Sequence, residues 1–263
     1  MSNEDADQGS VRLSIDGPVA NVTFDRPTAR NAMTWKMYEE FNEAMGTIAT
    51  DPDVRVCVLR GAGGKAFVAG TDISQFTEFR SGKDGISYNE RVDRSFALLD
   101  GLKVPTIAVI TGVAAGGGLA FAAVCDLRIV SDDSRFGIPV SRTLANLPAM
   151  PNITRLVTLV GPAHAKEMLF TARLWDADEA LAKGLVTEVH PREAIEGRVA
   201  ELCELLASRA PLTMWGVKET VRRIFDATVP PGADLIEAVY GSEDFREGMQ
   251  AFLEKRPPVF RNR

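Results

Sequence analysis

The chain has 263 residues, 30 basic and 36 acidic side chains, 45% hydrophobic residues and a formal charge of -6 at pH 7. That length fits one large domain, or one domain with a small appendage, and can bury a core without disulfide or metal staples. An acidic balance gives no electrostatic footprint for nucleic acid or an anionic membrane, and no run of about 18 apolar residues offers a membrane span.

The opening M-S-N-E-D-A-D-Q-G-S is polar and acidic, unlike a signal or transit peptide, so a cytoplasmic protein is expected. Residues 11–24 alternate apolar and polar around Asp16-Gly17, which predicts a hairpin. Met37, Phe41, Met45 and Ile48 recur at helical spacing until Asp51-Pro52. Residues 54–59 read as a buried strand, 78–89 as a mobile polar loop, 104–113 as a strand, and 127–130 as another. From residue 195 the chain reads as helical, over 195–208, 212–227 and a last segment near 233–254. Strands alternating with helices predict an α/β fold, with a core over 1–194 and a helical block over 195–263. The apolar stripes Val217, Val221, Ile224 and Leu235, Ile236, Val239, Phe245, Met249, Phe252 predict that this block buries surface in an assembly, unless it packs on its own core.

Cys57, Cys125 and Cys203 each lie in an apolar run and read as buried free thiols. With His164 and His190 as the only histidines and no G-x-S-x-G elbow, most metal and Ser-His-Asp sites lose their raw material. No metal site is expected. G-A-G-G-K-A at residues 61–66 follows a strand as a dinucleotide fingerprint would, but no helical pattern continues from it. It also fails as a phosphate loop, since Ala66 follows Lys65. Gly116, Gly117 and Gly118, between a strand and a helix, offer free backbone N–H groups at a positive helix end. Spacing alone leaves two readings: an anion site or a tight turn.

Seven segments, in order, resemble the crotonases, the enoyl-CoA hydratase/isomerase superfamily. They are F-D-R-P-T-A-R-N-A-M (24–33), K-A-F-V-A-G-T-D-I (65–73), I-T-G-V-A-A-G-G-G (110–118), A-A-V-C-D-L-R-I (122–129), S-R-F-G-I-P (134–139), D-A-D-E-A-L-A-K-G-L-V-T-E-V (176–189) and E-G-M-Q-A-F-L-E-K-R-P-P-V-F (247–260). The resemblance implies a crotonase-like spiral of β-β-α turns, a helical C-terminal oligomerisation block, self-association as a trimer or dimer of trimers, and acyl-CoA thioesters as substrates. Coenzyme A would be part of the substrate, with no further cofactor.

Carried over by position, the resemblance makes the backbone N–H groups of Thr71 and Gly117 an oxyanion hole for a thioester enolate. Ala69, Gly70 and Ile73 would line the adenine end of CoA, and Arg30 would approach its phosphates. The family's hydratases carry one glutamate two residues after the triple glycine and another directly after the proline of F-G-x-P. Ala120 and Val140 stand there in this chain. Neither can position water or deliver a proton. Arg142 could hold a carboxylate, Thr143 or Asn146 could orient water or a carbonyl, and Asp72 is a candidate catalytic carboxylate beside Thr71. Asp126 reads as structural. Three functions are expected candidates: an acyl-CoA enzyme such as a malonyl-type decarboxylase, a hydratase-like enzyme with a displaced acid or base, and a non-catalytic acyl-CoA binding protein.

Overall fold

The computed structural model describes residues 8–261. The acidic opening therefore lies almost wholly outside the described residues. Strands β1 (Ser10–Asp16) and β2 (Val19–Asp25) form the expected antiparallel hairpin, with Asp16 opposite Val19 across a turn where Gly17 has φ 53°. One face of β2 buries Ala20, Val22 and Phe24 against α1 (Trp35–Thr50), where Phe24 stacks on Phe41 at 5.7 Å. Helix α1 starts at Thr34, whose hydroxyl accepts from Met37 N at 3.2 Å.

Three β-β-α turns follow: β3 (Val56–Gly61), β4 (Ala66–Val68) and α2 (Gly82–Asp100); β5 (Thr106–Ile110), β6 (Val113–Ala115) and α3 (Gly117–Val124); β7 (Leu127–Ser131), β8 (Arg135–Gly137) and α4 (Met150–Thr171). The first strand of each turn joins one sheet and the second joins another. After β9 (Trp175–Asp176), α5 (Ala177–Ala182) and β10 (Glu188–His190), the sheets read β1-β2-β3-β5-β7-β10 and β4-β6-β8-β9. From β2 to β10 the larger sheet is parallel. Its central strands β3, β5 and β7 are buried on both faces, which explains their unbroken apolar runs. Val56, Val58, Ile107, Val109 and Ile129 pack against α6 (Ile195–Ala207), while Cys57, Leu59, Ala108, Ile110 and Val130 face the main core. The architecture is the spiral α/β fold that the seven segments imply.

Helices α7 (Pro211–Asp226), α8 (Ala233–Tyr240) and α9 (Glu243–Leu253) complete the chain. Three expectations are corrected here. Residues 104–113 are two strands in different sheets, because the chain turns at Gly112, where φ is 78° and an added Cβ would lie 2.2 Å from Lys65 O. A turn inside an apolar run leaves periodicity unchanged. Residues 78–89 are not a mobile loop but lead into α2, whose first turn is closed by the Asp84 carboxylate accepting from Ser81 N at 2.7 Å. Its glycines are contact points: a Cβ at Gly82 would lie 1.9 Å from Glu237 O, and one at Gly85 2.3 Å from the Tyr240 ring. The last helical segment is split in two at Gly241-Ser242, with Ser242 Oγ accepting from Phe245 N at 3.0 Å. Ile236 and Phe245 of the second apolar stripe bury with Tyr240 against Phe76 and Leu144 of the same chain, while Leu235 and Phe252 stay 48% and 50% exposed, so that stripe is covered only in part.

Among the described residues no helix is long and apolar enough to cross a membrane.

Candidate active site

The segment after β4 is held open by its neighbours. Asn31, fully buried with φ 58°, donates through Nδ2 to Ala66 O at 2.8 Å and Ala62 O at 3.0 Å, and accepts from Arg26 N at 2.9 Å. Asparagine tolerates this left-handed backbone better than other side-chain-bearing residues. The next residues pair with the post-β4 segment: Ala69 N donates to Arg30 O at 3.1 Å, Met33 N to Gly70 O at 2.9 Å, and Asp72 N to Met33 O at 2.9 Å. Gly70, at φ 122°, turns the chain so that Thr71 faces the start of α3.

The triple glycine supplies the opposite wall. Gly116 has φ 53° and ties β6 to β8 through Gly116 N to Gly137 O at 2.9 Å. At Gly118 an added Cβ would lie 1.8 Å from Val68 O, so only glycine lets α3 approach β4 this closely. Gly117 opens α3, and a Cβ built on it would lie 3.5 Å from Thr71 Oγ1 and 3.9 Å from Gly70 C. Neither the Thr71 amide nor the Gly117 amide has a hydrogen-bond acceptor among the described residues. Two unsatisfied N–H groups on facing segments, one at a helix N-terminus, are ready donors to a developing oxyanion.

Both line a cavity of about 480 Å³, within the usual range for a small-molecule site. Arg30, Ala69, Gly70, Asp72, Ile73, Ala120, Val140, Thr143 and Asn146 line it too, so the structure gathers nearly all the residues singled out in the sequence. Arg142 is the exception. It is exposed and does not line the cavity, because the turn at 139–141 directs it outward while Thr143 and Leu144 face in. Arg30 is exposed at the cavity.

Asp72 is the only carboxylate among the described residues that line the cavity, and it is already engaged. Arg26 Nη1 lies 2.6 Å from one oxygen, while Ser74 N at 3.0 Å and Ser74 Oγ at 2.7 Å donate to the other. Partial burial alone would raise its pKa, but these donors outweigh burial and leave it below the usual carboxylate value. An anchored, ionised carboxylate of this kind is a poor proton donor. Asp126 is structural, accepting from Thr106 N at 2.7 Å and Lys218 Nζ at 2.8 Å. His164 and His190 bond to Val160 O and Glu188 outside the cavity, the three thiols are buried, and no metal-binding cluster occurs among the described residues.

Sequence reading missed the wall supplied by α2, the start of α4 and α8. Tyr88, Asn89, Val92, Phe96, Asn152 and Tyr240 line the cavity. Tyr88 Oη lies 2.9 Å from Thr71 Oγ1, and the buried Tyr38 Oη lies 2.8 Å from the same atom. Behind the wall, burial pushes the Asp93 carboxyl up to about 6, partly offset by Asn152 Nδ2, which donates to it at 3.4 Å. The helical spacing of Gly85, Asn89, Val92 and Phe96 carried the signal, hidden by two glycines at the helix start.

Residues 14–263 match the enoyl-CoA hydratase/isomerase family. The chain is 35% identical over 259 residues to a short-chain-enoyl-CoA hydratase of Clostridium acetobutylicum, covering 97% of this chain and 98% of the relative. It is 33% identical over 262 residues to a carnitinyl-CoA dehydratase of Citrobacter koseri, covering 97% and 99%. Among solved structures, methylmalonyl-CoA decarboxylase in complex with 2-nitronate-propionyl-CoA superposes with a TM-score of 0.89 at 28% identity, covering 96% of this chain and 98% of that one. The chain therefore belongs to the enoyl-CoA hydratase/isomerase family, whose substrates are acyl-CoA thioesters.

Proposed function

We propose that the protein is an enzyme that holds a thioester enolate between the Thr71 and Gly117 amides and forms it by loss of a carboxylate from a malonyl-type acyl-CoA. The observation that carries this reading is a pair of unsatisfied amides in a cavity whose only lining carboxylate among the described residues is anchored to Arg26 and Ser74. Decarboxylation needs no base: the C–COO⁻ bond breaks, its electron pair enters the enolate, and the thioester oxygen takes the charge. Fixed donors there lower the barrier by about 3 to 4 kcal/mol each in comparable sites. A largely apolar wall at Val92, Phe96, Ala120 and Val140 disfavours the departing carboxylate relative to the delocalised enolate. The fold similarity to methylmalonyl-CoA decarboxylase is consistent with this chemistry. Coenzyme A enters as part of the substrate. Ala69, Gly70 and Ile73 are proposed to receive its adenine end and Arg30 its phosphates.

Hydration with a displaced acid is the second reading, favoured by the named hydratases among the relatives and by Asp93 behind Asn152. A mass-spectrometric panel of enoyl-CoA and malonyl-type CoA thioesters separates the two. The expected result is CO₂ loss from a malonyl-type substrate outpacing water addition to any enoyl-CoA. Hydration as the dominant reaction would overturn the proposal, and tight CoA binding without turnover would instead indicate a non-catalytic binding protein.

Self-association as a trimer or dimer of trimers is proposed on the exposed apolar residues of the helical block, α7 above all. Leu212, Val217, Val221 and Ile224 are 76%, 61%, 61% and 63% exposed, an apolar face that one chain leaves uncovered. Sedimentation at micromolar concentration should give a trimer or hexamer; a monomer would refute the assembly.

A further inference from the structure

The direction of the Thr71 amide is set by one short piece of backbone pairing. Beyond the end of β4 the chain runs between residues 30–33 on one flank and β6 with the start of α3 on the other. Met33 and Thr71 form an isolated parallel bridge there. In that geometry Met33 bonds to the two neighbours of Thr71: its N–H donates to Gly70 O at 2.9 Å, and its carbonyl accepts from Asp72 N at 2.9 Å. The N–H of Thr71 itself is thereby turned away from Met33, towards the side where Gly117 opens α3. Two hydrogen bonds are a thin hold on that direction. They sit between Gly70, at φ 122°, and a 3-10 turn over Ile73–Phe76, so no longer strand fixes the segment from either end.

A buried guanidinium joins the same two segments. Arg26 Nη1 donates to Ala32 O at 3.2 Å and to the Asp72 carboxylate at 2.6 Å. One nitrogen therefore ties the residue before Met33 to the residue after Thr71. The arginine is itself fixed at the end of β2: its N–H donates to Asn31 Oδ1 at 2.9 Å, and its carbonyl accepts from Asn31 N at 2.9 Å. Asp72 is held from the other side, where Ser74 N and Oγ donate to its second oxygen. Gln75 adds a neutral clamp, with Nε2 donating to Met33 O at 2.9 Å and to Asp72 O at 3.0 Å. From this geometry we infer that Arg26 is a positioning residue, which acts through Asp72 to hold the Thr71 amide aimed at the enolate oxygen. The inference rests on the enolate reading above. A donor stabilises an oxyanion without reorganisation only when its direction is set before the charge develops. Arg26 lines the cavity, but Asp72 offsets its charge, so its contribution is aim and not attraction.

Removing Arg26 alone would leave the Asp72 charge beside the enolate, so the test removes both charges together. Arg26→Met combined with Asp72→Asn keeps the net charge and leaves an acceptor for Ser74, while the link from Ala32 to residue 72 is lost. Calorimetry compares 2-nitronate-propionyl-CoA, an anionic mimic of the enolate, with uncharged propionyl-CoA. In the double variant the preference for the nitronate should fall at least about tenfold, with propionyl-CoA affinity within about twofold of the wild type, because a misaimed donor weakens only the contact to the charged oxygen. Decarboxylation should lose kcat in the same proportion and keep its KM. Gln75→Met removes the neutral clamp from the same bridge and should lower the preference by a smaller factor. An unchanged preference in the double variant, or in Gln75→Met if the double variant does not fold, would overturn the positioning role and leave the enolate reading intact. Equal losses for the two ligands would mean that the pair shapes the cavity as a whole, and would overturn the role as well. A wild type with no preference for the nitronate would overturn the enolate reading itself, and the positioning role with it.

Discussion

Crotonyl-CoA should be hydrated at least about a hundredfold more slowly than by an ordinary hydratase, because each positioned acid or base contributes about 10² to 10⁴-fold. Ala120 and Val140 both line the cavity and offer neither. The same two positions allow the reverse test. Ala120→Glu combined with Val140→Glu should raise hydration, and either change alone should help less, since the two groups act on one water. Two carboxylates introduced into a largely apolar wall lose solvation, so their pKa values rise and folding stability falls. Thermal unfolding of the double variant therefore accompanies the rate measurement. Wild-type turnover of crotonyl-CoA at tens per second or faster would contradict the account. Asp93 would then be the first candidate for the missing acid: its carboxyl is pushed up to about 6 by burial, and it is separated from the cavity by the Asn152 amide. Asp72 is less suited, because Arg26 and Ser74 hold it ionised.

Parts of the fold and site governed by local rules were legible in the sequence. The hairpin at residues 11–24, the amphipathic stripe of α1 and the triple glycine each have a signature set by backbone geometry, and each formed as expected. The meeting of Thr71 with Gly117 was legible only through resemblance, because it depends on β4 and β6 lying side by side across some 45 residues of intervening chain. What escaped the reading was set by tertiary contact. Gly82 and Gly85 look like loop residues until α8 packs on them, and Gly112 looks like part of a strand until Lys65 O fills the space beside it. Tyr38 and Tyr88 carry no spacing signal at all. Their hydroxyls converge on Thr71 only because α1 and α2 both pack beside the post-β4 segment. Arg142 shows the opposite error, since a charged residue in a promising stretch points outward once the turn at 139–141 forms.

A planar, anionic analogue of the enolate tests the central claim most directly. A nitronate next to a thioester carbonyl delocalises negative charge onto the carbonyl oxygen, as the enolate does, while propionyl-CoA shares the CoA moiety and acyl length but leaves that oxygen uncharged. Sites built for the charged intermediate bind such analogues about 10² to 10⁸-fold more tightly than ground-state ligands. Calorimetry should therefore give 2-nitronate-propionyl-CoA at least about a hundredfold tighter than propionyl-CoA, through the unsatisfied amides of Thr71 and Gly117. Equal affinity for the two ligands would mean that the cavity recognises CoA without stabilising an enolate, and would contradict the account.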